Sequence, residues 1–305
     1  MTQKKRAVII NQSVLKKGVL ASHSRIRDPQ RPEQKYSEVW TDICRGAQWR
    51  AKERSVVLDI LSPLSYHEHD EFLKLVGIAV ERKPDFLILP FTLLPSSGEE
   101  KLLDILDDFP GRIVAVNVPP SDLARARLGK RLAGYVGMNE YGAGQRAALE
   151  LIQTLSDGFR YNPEMKAIVV PKHEEGHYGH WLRIEGIKEV ARIHGIPVRE
   201  EFVGAEKQKR LKLGEGKYGV ITLGNRGTEA ALADSVDQKQ ILGLVGMDLN
   251  PTIANAILDT RVKATLIQHP YQQGALAIDM ALGPGGTYYC GPTLINMDNV
   301  RVFNL

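Results

Sequence analysis

The sequence predicts an α/β protein with two parallel sheets and hence two lobes. Three observations lead there. Short apolar runs rich in β-branched residues alternate with longer amphipathic stretches along the chain, the pattern of parallel strands covered by helices. About ten such runs exceed one typical sheet of about four to six strands. The length of 305 residues suits about two domains.

The elements follow in order. Ala7–Ile10, Ser55–Ile60, Phe86–Leu89 and Arg112–Val116 read as buried strands, apolar throughout because both faces are covered. Between them, Tyr36–Arg54, Glu68–Lys83 and Gly98–Phe109 place apolar residues three and four apart and read as helices. The alternation continues with a strand at Ala133–Gly137, a helix at Gly144–Ser156, a strand at Ala167–Val170 and a helix at His180–His194. Strands at Gly219–Leu223, Ile241–Val245 and Ala264–Ile267 then alternate with helices at Thr228–Ser235, Thr252–Asp259 and Gln272–Leu282. Two stretches interrupt the pattern: polar Val14–Lys35, with Pro29 and Pro32, and basic Glu206–Lys217. No internal sequence repeat is visible.

Composition narrows the function classes. Hydrophobic residues at 43% and charged at 25% exclude a disordered or coiled-coil chain. The net charge of +4 is spread along the sequence, so no direct nucleic-acid partner is indicated. Cys44 and Cys290 stand far apart in no CxxC frame, which indicates neither a disulfide framework nor a cysteine zinc site. No apolar run approaches the ~20 residues of a membrane helix, so no membrane insertion is expected. Lys4-Lys5-Arg6 precedes only a four-residue apolar run, too short for a signal peptide. The expectation is a mature periplasmic form whose export signal was removed, or a cytoplasmic chain. With the first strand starting by Ala7, no helix-turn-helix is expected upstream.

Two strings imitate catalytic or cofactor motifs. His173-Glu174-Glu175-Gly176-His177 matches H-E-x-x-H, which in a zinc hydrolase sets two imidazoles on one helical face. Here it follows a strand and Pro171, and Gly176 and Gly179 oppose a helix. A strand-end loop is the simpler reading. Gly142-Ala-Gly144-Gln-Arg-Ala147 formally matches G-x-G-x-x-A, but four residues separate it from the strand and the next strand lacks an acidic tip. Small residues opening a helix packed on a sheet explain it. No nucleophile elbow or P-loop occurs, so no catalytic residue, metal or cofactor is assigned. His67 and His69 read as solvent-facing in a polar loop, and Trp40 and Trp49 as core or surface residues of the first helix.

What does recur is a polar residue just beyond a strand's carboxyl end. Asn11, Asn117, Asn225, Asp248 and Gln268 all stand there, where open parallel sheets bind ligands. Arg183 offers a forked donor and Trp181 an apolar face. Singly, such residues cap turns; five at equivalent places point to one shared site suited to hydroxyl groups.

Leu244-Val-Gly-Met-Asp248, followed by Ala264-Thr-Leu-Ile-Gln268-His-Pro270 and Gly274-Ala-Leu-Ala277, resembles the type I periplasmic sugar-binding proteins. The effector-binding core of LacI-type repressors has the same fold. Tyr135-Val-Gly-Met-Asn139 with Gly144, Arg183-Ile-Glu-Gly186 and Leu294-Ile-Asn-Met-Asp-Asn299-Val300 extend the resemblance in family order across nearly the whole chain. It implies two Rossmann-like lobes joined by three crossovers, residues 1–138 plus 269–292 and residues 139–268 plus 293–305. A sugar would be held in the interlobe cleft, with closure by a hinge.

On this resemblance, Arg183, Asp248 and Gln268 match positions that hydrogen-bond sugar hydroxyls, and Asn11 and Asn117 match strand ends used the same way. Asn225 falls where the family has an Asn-Asp pair, but Gly224-Asn225-Arg226 stands here. The aromatic pair that follows the first strand in the family is replaced by Ser13-Val14-Leu15 and the long insertion. His177, His180 and Trp181 are candidates to compensate. The implied role is that of a monomeric solute-binding component for a membrane permease, with signalling to a receptor kinase or transcription regulator as the alternative. A zinc-dependent hydrolase through His173 and His177 is the reading from another class.

Overall fold

The computed structural model describes residues 4–11, 38–63, 69–93, 98–156, 162, 164–172, 176–203, 211–233 and 238–302. In chain order the elements are β1 (Arg6–Ile10), α1 (Glu38–Glu53), β2 (Val57–Leu61), α2 (His69–Glu81), β3 (Phe86–Leu89) and α3 (Glu99–Asp107). They continue with β4 (Arg112–Asn117), α4 (Asp122–Leu128), β5 (Leu132–Gly137), α5 (Glu140–Leu155), β6 (Met165–Lys172) and α6 (Tyr178–Ile193). Next come β7 (Val198–Phe202), β8 (Lys217–Ile221), α7 (Asn225–Ala231), β9 (Ile241–Met247) and α8 (Pro251–Leu258). The last are β10 (Ala264–Ile267), α9 (Pro270–Leu282), β11 (Gly286–Tyr289) and β12 (Thr293–Asn296).

The chain divides into two compact units: Met1–Met138 with His269–Cys290, and Asn139–Gln268 with Gly291–Leu305. The first unit holds a six-stranded sheet in the order β11-β5-β4-β3-β1-β2, parallel throughout. Its central strands β1, β3 and β4 are buried on both faces. Ala7 and Ile9 face a cluster with Ile43 of α1 and Ile278 of α9, while Val8 and Ile10 face Phe72 of α2 and Leu102 of α3. This is the alternation of a pleated strand with helices on either side, and it explains why β1 is apolar at every buried position.

The second unit repeats the plan in the order β12-β10-β9-β8-β6-β7, parallel except for the antiparallel β12. Val169, Val220 and Leu244 pack on Ile253 and Ile257 of α8. On the other face, Leu151 of α5 closes against Gly219 and Gly243 of β8 and β9.

Each unit carries one tightly seated helix pair. An added Cβ at Gly46 of α1 would stand 1.9 Å from the Tyr271 carbonyl oxygen of α9, and one at Gly274 would stand 1.8 Å from that of Ile43. In α5 and α6 the same clash falls between Gly186 and Tyr141 at 2.1 Å, and between Gly144 and Arg183 at 1.9 Å. Only glycine permits such an approach. The spacing is identical in both pairs: a glycine lies three residues after the contacted carbonyl in one helix and three after it in the other.

Several expectations needed revision. α5 begins at Glu140 rather than Gly144, because the Asn139 side chain caps it by accepting the Gly142 N–H at 2.9 Å. Gly142 and Gly144 therefore lie inside the helix, and Gly144 packs on α6 rather than on the sheet. The strand expected at Gly219–Leu223 ends at Ile221, so Asn225 opens α7 instead of tipping a strand. The periodicity also missed α4, β7, β11 and β12: α4 is one short helix, and the three strands are edges of their sheets. Val14–Lys35 lies outside the described residues. Of Glu206–Lys217, the described part supplies Leu211 and Leu213 to the core.

Candidate functional site

In a parallel sheet every strand delivers its carboxyl end to one edge. At that edge of the first unit stand Asn11 and Asn117. Asn11 is fully buried after β1, and its backbone N–H and Nδ2 both donate to the Leu61 carbonyl of β2, at 3.1 and 3.2 Å. Asn117 ends β4 with φ +67, a left-handed conformation that asparagine tolerates better than most residues. The Tyr135 hydroxyl of β5 donates to its carbonyl at 2.9 Å, and its Nδ2 donates to Oε1 of Gln273 at 3.4 Å.

The second unit repeats the device with charge. Asp248 follows β9 with φ +68, and the Thr265 hydroxyl of β10 donates to its carbonyl at 2.6 Å. Its carboxylate accepts from Nε2 of Gln268 at 2.8 Å and from the Asn225 N–H. Arg183 of α6 is only 5% exposed. Its Nε donates to Oε2 of Glu140 at 2.5 Å, and its Nη1 to the Leu223 carbonyl at 2.5 Å. Burial pushes the Asp248 and Glu140 carboxyl groups above the usual carboxylate range, and the Arg183 guanidinium acts against it in both.

Four expected residues, Arg183, Asn225, Asp248 and Gln268, thus converge in one cluster, in which Asp248 is hydrogen-bonded to Gln268 and Asn225 and attracted electrostatically by Arg183. Asn11 and Asn117 occupy the matching edge of the first unit. Trp181 stands apart: two residues before Arg183, it projects about 200° around α6, 46% exposed and stacked on Tyr178 at 5.7 Å. His177 caps α6, accepting the His180 N–H at Nδ1 (3.2 Å), and the two rings stack at 4.2 Å. Since β6 runs to Lys172 and His177 has extended backbone ahead of α6, His177 lies on no helical face. His173 and His67 fall outside the described residues, while His69 opens α2 and is exposed. Trp40 is core and Trp49 is half-exposed, packed on Tyr271 and under Arg50.

Two participants escaped the sequence reading, Glu140 and Gln273. Glu140 falls in a helical turn that the pattern missed, and Gln273 is a fully buried amide in an otherwise apolar helix face. Among the described residues no group of three His, Cys, Asp or Glu could hold a metal ion. No described helix is long and apolar enough to cross a membrane.

Two six-stranded sheets with polar residues gathered at their carboxyl ends define a two-unit α/β fold of the type I periplasmic binding protein kind. The chain belongs to the periplasmic binding protein domain family, whose model matches residues 32–283. Among solved structures it is similar to GanP, a glucose-galactose binding protein from Geobacillus stearothermophilus, at 16% identity and TM-score 0.73, covering 99% of this chain and 100% of that one. It is also similar to a carbohydrate transporter from Acidothermus cellulolyticus 11B in complex with myo-inositol, at 17% identity and TM-score 0.69, covering 98% and 96%. A chain from Bacteroides fragilis described as a LacI transcriptional regulator matches at 15% identity and TM-score 0.71, covering 99% and 100%. No curated protein matches in sequence.

Proposed function

We propose that this chain reversibly binds one small sugar or polyol, without covalent chemistry, as the solute-binding component of an ABC transporter. The observation that carries the reading is the Arg183–Asp248–Gln268 cluster at the carboxyl edge of the second sheet. Asp248 accepts from ligand hydroxyls, while Arg183 and Gln268 donate. Asn225, Asn11 and Asn117 supply further amide contacts, while Trp181, on another face of α6, is left out of the site. Contacts to one ligand from residues of both units would bias an existing equilibrium towards a closed state, the hinge closure that the family resemblance implies. A periplasmic protein that meets a permease fits this role, and the sugar and polyol ligands of GanP and the Acidothermus protein support the ligand class. Likeness to the LacI regulator supports a second reading, ligand sensing that reports to a kinase or regulator.

A thermal-shift screen against sugars and polyols tests the binding. A true ligand at a hundredfold excess over Kd adds about 2.7 kcal/mol of stability. Asp248→Ala should weaken binding by calorimetry by about 1.5–3 kcal/mol, the loss of a charged hydrogen bond. Unchanged affinity would remove Asp248 from the site, and a folded protein that no sugar or polyol stabilises would remove the sugar reading.

A further inference from the structure

The cluster in the second unit contains two carboxylates and one guanidinium. Glu140 is only 2% exposed; its Oε2 holds Arg183, and its Oε1 is buried with no hydrogen-bond partner among the described residues. Asp248 lies in the field of the same Arg183, which among the described residues is the cation acting on both. Two carboxyl groups around one guanidinium, one carboxyl oxygen unsatisfied, is a costly arrangement to bury.

Helix packing does not require it. The contact between α5 and α6 repeats that between α1 and α9, glycine for glycine. In that register Ile43 stands where the second unit has Arg183, and Pro270 stands where it has Glu140. The first unit therefore builds the same helix pair with no charge at either position.

Resting on the sugar-binding reading, we propose that the second unit's cluster selects a polyhydroxylated ligand that carries a protonated amine, such as an amino sugar, with the amine answering to Glu140 and Asp248. An ammonium group supplies the missing positive charge and up to three donors, enough for the bare Oε1 of Glu140. Ligands bearing a carboxylate or phosphate would add a third negative charge and are rejected.

The test compares matched sets by calorimetry at about pH 6.5, where such amines carry a proton: glucose, glucosamine and glucuronate, with the galacto and manno counterparts. In the set that fits, the amino sugar binds about tenfold or more tighter than its parent hexose, the scale of one charge-assisted hydrogen bond, and the uronate binds worst. Glu140→Gln, similar in shape but uncharged, brings the ratio of amino to parent affinity towards one. Asp248→Asn is read the same way, with circular dichroism establishing that each variant is folded. Parent and amino sugars bound alike by the wild type, or a ratio that neither variant changes, overturn the proposal and leave the sugar reading standing. Binding of no member in any set overturns the proposal alone; the sugar reading then stands or falls by the wider thermal-shift screen against sugars and polyols.

Discussion

Asn117 and Asp248 hold the same strained pose in different units, each with its carbonyl clamped by a hydroxyl from the neighbouring strand. A left-handed residue directs its side chain away from the strand's regular course, and the clamp keeps it there. Strain of this kind, over-determined by its surroundings, gathers at functional sites. These residues were legible because each follows an uninterrupted apolar run. Glu140 and Gln273 were not, because their partners Arg183 and Asn117 are 43 and 156 positions away, and only the folded chain brings them together. Glu99 presents another buried carboxyl group. It opens α3, fully buried, and accepts the Ser121 hydroxyl at 2.7 Å and the Ser121 N–H. Burial raises its carboxyl above the ordinary value, about 4.3. The folded protein therefore binds this proton more tightly than the unfolded chain, and its stabilisation is complete below the ordinary value and lost as pH rises through the folded one. Wild-type stability relative to Glu99→Gln should accordingly fall as pH is raised from about 4, in urea melts across a pH series. A pH-independent difference would show that Glu99 titrates alike in both states.

The paired helices set the position of the charged site. Arg183 contributes both its side chain to the cluster and its carbonyl to the contact with Gly144, so packing error on α5 becomes aiming error in the guanidinium. Gly144→Ala and Gly46→Ala each place a methyl group 1.9 Å from a backbone oxygen. Each should lose about 1–3 kcal/mol of stability by overpacking, measured by denaturant unfolding. Only Gly144→Ala, whose clash falls on Arg183, should also weaken ligand binding beyond the loss explained by unfolding. Equal effects on affinity would uncouple the helix contact from the site. At this scale the central strands and long helices were readable, since they are buried on both faces or amphipathic. The edges were not: β7 carries Arg199, Glu200 and Glu201 within five residues, and β11 is exposed throughout. Neither shows the apolar signal that burial imposes.

Across the whole molecule the two units share one strand order that no sequence repeat announces. What recurs is geometry at a few atoms: four glycines, four carbonyls and two clamped strand ends. Side chains at matched places have diverged as far as Ile43 and Arg183, which packing tolerates and periodicity cannot detect. The two cysteines belong to the core of the first unit, and burial raises both thiols above their ordinary range. A disulfide-exchange reagent should therefore label neither in the native protein and both in denaturant; fast native labelling would mean that the core around them opens.

The route of the backbone has a bearing on how the protein is made. Helix α9 and strand β11, which complete the first unit, are encoded after Asn139–Gln268 of the second. During translation, which proceeds at about 5–20 residues per second, the amino-terminal sheet waits for its last helix until residues up to Leu282 have left the ribosome. Until then Ile43 and its neighbours on α1 lack their partner, an interval in which a chaperone would find its apolar target.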